Sequence, residues 1–195
     1  MQINRKQNVM RHKVIPISQF FVIKYHIIVF VPLAVIITIL SCLATIIILP
    51  FAKNARWGNY PAIFWARSLC FLSLVRVKVQ GIENIDPKAS YIFVANHQSI
   101  YDIPLVYGWL NNNFKWIMKK ELRRLPVIGK TCELMGHIFI DRSHPMRAKQ
   151  SLEAAKKNLK QGESSIFLFP EGTRTRNGKI QRFKRGAFTI ARDLH

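Results

Sequence analysis

Tyr91-Ile92-Phe93-Val94-Ala95-Asn96-His97-Gln98-Ser99-Ile100-Tyr101-Asp102 reads as a strand that runs into a polar turn and then into a helix. The run from Tyr91 to Ala95 has the length and the aromatic and β-branched content of a strand. Asp102 is a good N-cap and Pro104 suits a first helical turn, so a helix is expected to begin there. Residues five apart in a continuous helix sit about 140° around its axis, on different faces. His97 is therefore assigned to the turn, from which it can fold back towards Asp102. An imidazole in that position can take a proton from an alcohol near neutral pH, and the carboxylate can fix its tautomer and steady the imidazolium. A capping Asp beside an ordinary turn His gives the same short pattern, so H-x4-D alone leaves both readings open.

Similar alternation continues on both sides of this stretch. Strands are expected at Val75 to Val79, Phe114 to Met118, His137 to Ile140 and Ser165 to Phe169, with the clearest helix from Pro145 to Gln161. This pattern predicts an α/β fold, a mixed and mainly parallel sheet flanked by helices. Ligands of such sheets bind beyond the carboxyl ends of the strands. Two further strand ends carry suitable groups. Ser165-Ile166-Phe167-Leu168-Phe169 runs into Pro170-Glu171-Gly172-Thr173-Arg174, where Gly172 permits a positive φ and Arg174 offers a planar fork for phosphate. His137-Ile138-Phe139-Ile140 runs into Asp141-Arg142, where Arg142 can bind phosphate with Asp141 holding it. A plain strand-ending turn and a surface ion pair account for these two patterns as well.

Ahead of the α/β pattern, no charged side chain occurs from Ile27 to Ala52. A hydrocarbon core takes roughly 20 apolar helical residues to cross, so a membrane helix is expected over 27–50, with Pro32 at most kinking it. The run is too long for a signal peptide and lacks a following cleavage site. A second apolar stretch, 59–75, carries Arg67 in its middle and reads as an interfacial helix from which the guanidinium snorkels. The chain thus divides into a basic segment 1–26, membrane-associated helices 27–75, and a catalytic domain 76–195.

Thirty Lys and Arg against ten Asp and Glu give a net charge of +20, which calls for an anionic partner or surface. Beside a membrane segment, anionic lipid is the expected surface. Arg174, Arg176, Lys179, Arg182, Lys184 and Arg185 follow the Pro170 turn with no acid among them. A nucleic-acid partner is not expected, because only Phe183 and Phe188 interleave this cluster and H-x4-D would go unexplained. Cys42, Cys70 and Cys132 share no metal-ligand spacing and read as free thiols.

Four blocks, taken in order, resemble the H-x4-D glycerolipid acyltransferase family, in particular its members that acylate 1-acyl-glycerol-3-phosphate (lysophosphatidic acid). They are Asn96 to Asp102; Lys119-Lys120-Glu121-Leu122 with Pro126 and Gly129; Gly136 to Arg142; and Phe169 to Arg174. The resemblance covers roughly residues 75–192. It implies transfer of a fatty acyl group from acyl-coenzyme A or acyl-carrier protein to the 2-hydroxyl of lysophosphatidic acid, giving phosphatidic acid in phospholipid biosynthesis. His97 would be the general base and Asp102 its support. Glu171, Gly172, Thr173 and Arg174 would belong to the acceptor-binding motif, with Arg142 and Lys119 helping to bind phosphate. No metal and no cofactor beyond the acyl donor is implied, and the acceptor would attack directly, without an acyl-enzyme. The enzyme would work at the cytoplasmic face of a membrane, the inner membrane in a bacterium. Another lysolipid acceptor is the alternative. Family members continue into a further strand, so the domain is expected to be incomplete at its carboxyl end.

Overall fold

The computed structural model describes residues 19–195 except 53–54, 87–88, 142, 144, 157–164, 176, 186–187, 190–191 and 193–195. Helix α1 (Gln19–Tyr25), a π-helical turn (His26–Phe30) and α2 (Val31–Ile48) run on as one rod that ends in a 3-10 turn (Leu49–Phe51). The stretch Phe21–Phe51 is long and apolar enough to cross a membrane. Pro32 does not break it. The wider π turn ends just ahead of α2, and such a turn relieves the clash between a proline ring and the preceding carbonyls.

Helix α3 (Ala55–Leu72) folds back along α2. Gly58 permits the close approach, since a Cβ there would lie 2.2 Å from Leu49 Cδ1. Two hydrogen bonds tie the hairpin: Trp65 Nε1 donates to Thr38 Oγ1 at 2.8 Å, and the Tyr25 hydroxyl donates to the Leu72 carbonyl at 2.6 Å. Arg67 departs from the snorkelling expectation. Its Nε donates to the Gly108 carbonyl at 3.0 Å, and its guanidinium lies 5.7 Å from the centroid of Trp109. The last turn of α4 (Asp102–Trp109) offers a carbonyl and an aromatic face, both of which attract a cation. The helical hairpin is thus docked on the α/β domain.

Strands β1 (Ile92–Val94), β2 (Phe114–Lys119), β3 (Ile138–Ile140) and β4 (Ser165–Leu168) form one sheet in the order β1-β4-β2-β3. All three pairings are parallel. Parallel neighbours require crossovers, and α4, α5 (Ile128–Leu134) and α6 (Pro145–Lys156) supply them in turn. Every strand therefore ends at the same edge. Residues 75–79 run on without sheet pairing among the described residues, so the expected first strand does not form. Alternation makes a segment compatible with a sheet but supplies no partner edge.

The sheet has a different core on each face. Ile117, Ile138, Ile140, Ile166 and Leu168 pack as an aliphatic layer with Ala148 of α6. Phe114, Trp116 and Phe167 form an aromatic layer with Ile103, Val106 and Tyr107 of α4. Burying each of these large side chains contributes about 1.5–3 kcal/mol. Central β4 is buried along its whole length.

After β2 the chain makes a 3-10 turn (Lys120–Arg124) and enters α5 through Val127, whose φ of 62° is strained for a β-branched residue. Gly129 holds this turn closed, because a Cβ there would come within 2.2 Å of the Arg123 carbonyl oxygen. That obstacle is backbone and cannot swing aside. Gly129→Ala is expected to cost about 1–3 kcal/mol. A thermal melt in detergent checks this: an unchanged transition would show that the turn yields without cost.

Candidate active site

The turn between β1 and α4 folds as a cradle for one imidazole. Asp102 is the first residue of α4 and does not cap it; its carboxylate reaches back instead. Asp102 Oδ2 accepts the Gln98 N–H at 2.8 Å and the Ser99 N–H at 2.9 Å, and it lies 2.7 Å from His97 Nδ1. Those two amides fix the carboxylate, and the carboxylate assigns the proton to Nδ1, leaving Nε2 with its lone pair. No described residue engages Nε2. The imidazole also lies flat on Phe169, with centroids 4.0 Å apart and planes within 10°.

The turn after β4 holds the backbone of the same histidine. Glu171 is only 1% exposed, and its two carboxylate oxygens accept the His97 N–H at 2.7 Å and the Gln181 N–H at 2.9 Å. The Thr175 N–H donates to the His97 carbonyl at 2.9 Å. Both backbone groups of His97 are therefore bound by the 170–181 loop. The Glu171 carboxylate is thus enclosed, and both of its oxygens already accept amides. Gly172 adopts a φ of +73°, as the sequence predicts.

Thr173 and Arg174 lie exposed at the rim, and among the described residues no carboxylate pairs with Arg174. Lys119 ends β2 and pairs with Glu121 at 3.6 Å, both side chains more than half exposed, a contact that adds little stability. Arg142 lies outside the described residues. Its neighbour Asp141 accepts the Ser143 N–H at 3.0 Å and is 3.4 Å from Lys120 Nζ. The Ser143 hydrogen bonds, reinforced by Lys120, lower the Asp141 carboxyl to about 2.

A cavity of about 480 Å³ joins these parts to the α2–α3 hairpin. His97, Phe169, Gly172, Thr173, Arg174 and Lys119 line one portion of it, while Thr38, Ser41, Cys42 and Thr45 of α2 line another. The ends of β1, β4 and β2 thus converge on one space. Asp141, beyond edge strand β3, is not among the lining residues. Cys132 lines the cavity too, and burial pushes its thiol up to about 12, which disfavours the thiolate form.

Under the aromatic face, His137 is buried and lies 2.6 Å from the Tyr107 hydroxyl through Nε2, while its Nδ1 accepts the Trp116 N–H at 3.3 Å. Burial, and then the nearby Lys115 ammonium, lower its pKa to about 3. Sequence reasoning missed Phe169 as the plate under His97, and Thr175 and Gln181 as its backbone partners. Only Phe169, next to Pro170 in a quoted block, carried any signal. Thr175 and Gln181 act through main-chain amides, which side-chain identity does not reveal.

The family described as Acyltransferase matches residues 76–195. The chain is 34% identical to a chloroplastic 1-acyl-sn-glycerol-3-phosphate acyltransferase of Arabidopsis thaliana over 137 residues, covering 70% of this chain and 38% of that one. It is 40% identical to the 1-acyl-sn-glycerol-3-phosphate acyltransferase of Helicobacter pylori over 123 residues, covering 63% and 51%. The crystal structure of the 1-acyl-sn-glycerophosphate acyltransferase PlsC from Thermotoga maritima superposes with a TM-score of 0.69 at 27% identity, over 90% of this chain and 69% of that one. The chain spans about half the length, 38% to 54%, of the curated relatives it matches.

Two outcomes test this geometry. Glu171→Gln puts an amide NH₂ against one of the two N–H groups, and is expected to lower stability by about 1.5–3 kcal/mol in detergent melts. No loss would mean that the carboxylate bridge is dispensable. His137 gives a pH signature. Its folded pKa of about 3 lies below the ordinary 6.5, so as pH falls through 6.5 the unfolded chain takes a proton that the folded chain refuses. Stability is full above that value and falls towards pH 3. Asp141 acts only below its ordinary 3.8, so the fall between 4 and 6.5 belongs to histidine. His137→Gln should flatten melting temperature over that interval; an unchanged slope would reassign the effect.

Proposed function

Because the chain belongs to the Acyltransferase family, we propose that it transfers a fatty acyl group from a coenzyme A or acyl-carrier-protein thioester to the 2-hydroxyl of 1-acyl-glycerol-3-phosphate, making phosphatidic acid. One observation carries the reading: an imidazole with Nδ1 bound to Asp102 and Nε2 without a partner among the described residues, in a cavity that also reaches the α2–α3 hairpin. His97 Nε2 takes the proton of the acceptor hydroxyl as its oxygen attacks the thioester carbonyl. Asp102 steadies the imidazolium. Collapse of the tetrahedral intermediate breaks the C–S bond, and the imidazolium returns the proton to the departing thiolate. The products are an ester and a free thiol, so atoms and charge balance without an acyl-enzyme.

The other residues have roles consistent with this chemistry. Arg174, with Lys119 and Arg142, would neutralise the acceptor phosphate, a dianion suited to a guanidinium fork. Glu171 would serve the reaction by fixing the His97 backbone. The portion of the cavity between α2, Trp65 and Leu122 would receive an acyl chain. The chemistry so drawn needs no cofactor beyond the acyl donor. The reading sets the catalytic domain on the cytoplasmic face of a membrane, the inner membrane in a bacterium, where a chain with a charge of +20 meets anionic lipid.

The test supplies labelled acyl-coenzyme A, or acyl-carrier protein in parallel, and lysophosphatidic acid to the chain in membranes. Phosphatidic acid is the expected product, and His97→Ala should lower its rate by about 10²–10⁴-fold. Equal rates in the two proteins would remove His97 as the base. Product formed from lysophosphatidylcholine but not from lysophosphatidic acid would move the assignment to another lysolipid. Arg174→Ala should raise the acceptor KM with little change for the donor.

A further inference from the structure

Of the cations that follow the Pro170 turn, Lys184 is held against the turn itself. Its backbone N–H donates to the Pro170 carbonyl at 2.9 Å, and its side chain runs back across Gly172. A Cβ built on Gly172 would meet Lys184 Nζ at 2.9 Å, Cε at 3.1 Å and Cδ at 3.2 Å. The glycine thus meets two demands at once: its positive φ, and room for a lysine stem. Gly172 lines the cavity beside His97, Thr173 and Arg174, so the lysine stem lies against a residue of the cavity wall without itself lining the cavity.

Nothing already present uses that charge. Among the described residues no carboxylate lies within ion-pairing distance of Lys184 or Arg174, and Glu171, the acid of the same turn, has both oxygens on backbone amides. The backbone N–H groups of Thr173 and Arg174 also have no acceptor among the described residues. An ammonium, a guanidinium and two amide donors around one glycine turn are the kinds of group that bind an anion. Two cations suit a phosphate monoester, whose second ionisation leaves close to two negative charges at neutral pH.

We propose that Lys184 is a binding residue for the acceptor phosphate, acting with Arg174 across Gly172, and that it selects phosphate-bearing acceptors over neutral ones. This rests on the proposed acyl transfer to lysophosphatidic acid. Lys184→Gln in the full chain in membranes should raise the acceptor KM for lysophosphatidic acid about tenfold, leave the KM for acyl-coenzyme A unchanged and alter kcat less than twofold. Lys184→Arg should restore most of the affinity. Lys78→Gln, at an exposed cation far along the chain, should change neither constant and so controls for general attraction to the surface. Glycerol 3-phosphate titrated by tryptophan fluorescence gives a readout that needs no turnover: wild type should bind it and Lys184→Gln should bind it at least fivefold more weakly. If that loss is seen while no phosphatidic acid forms in any variant, the lysine assignment stands and the acyl-transfer reading falls. If Lys184→Gln matches Lys78→Gln in acceptor KM and in titration, or if Arg fails to rescue a folded protein, the proposal is overturned.

Discussion

The buried carboxylate of Glu171 is the constraint on which the rest of the site depends. Enclosing an ionisable group of this kind in protein is costly unless its oxygens find donors, and here each oxygen accepts one main-chain amide. One of those amides belongs to the turn after β1 and the other to the loop after β4. The carboxylate therefore joins two neighbouring parallel strands at their carboxyl ends, and joins them through backbone, which cannot rotate away. Thr175 adds a second link to the carbonyl of the same histidine. With the His97 main chain held on both sides, Asp102 and Phe169 have only the side-chain torsions left to fix.

A similar economy governs how the hairpin meets the sheet. Arg67 sits between apolar stretches of α3. It is matched by the carbonyl at the end of α4 and the face of Trp109. Helix α4 begins with Asp102 and ends beside Arg67, so one short rod connects the group that orients the imidazole to the helix that docks the hairpin. The cavity is walled by both bodies, and its shape follows from that joint.

The parts of the fold legible in the sequence were those where period and composition act locally. The four strands of the sheet, the long apolar helix, and the turns at His97 and Gly172 fall where alternation, chain length and glycine predict them. Val75 to Val79 shows the limit, because its alternation suits a strand but no edge receives it. Arg67 shows another, since a lone arginine among apolar residues looks the same whether it snorkels or caps a neighbouring helix. Glu171 was legible as a motif residue, but its amide partners were not. A side chain that binds one main-chain amide 74 positions away and another 10 away leaves no mark in local pattern, and neither does the stacking of Phe169 on His97.

That stacking has a kinetic consequence for the proposed reaction. An imidazole pressed flat on a phenyl ring, with Nδ1 committed to a carboxylate, cannot turn over to exchange its nitrogens. The proton that arrives at Nε2 must leave from Nε2, and its only acceptor in the scheme is the thiolate released in the same event. Both substrates must then be present together before any bond changes. Such a site works by an ordered or random ternary complex, and the imidazolium it forms lasts only as long as the tetrahedral intermediate beside it.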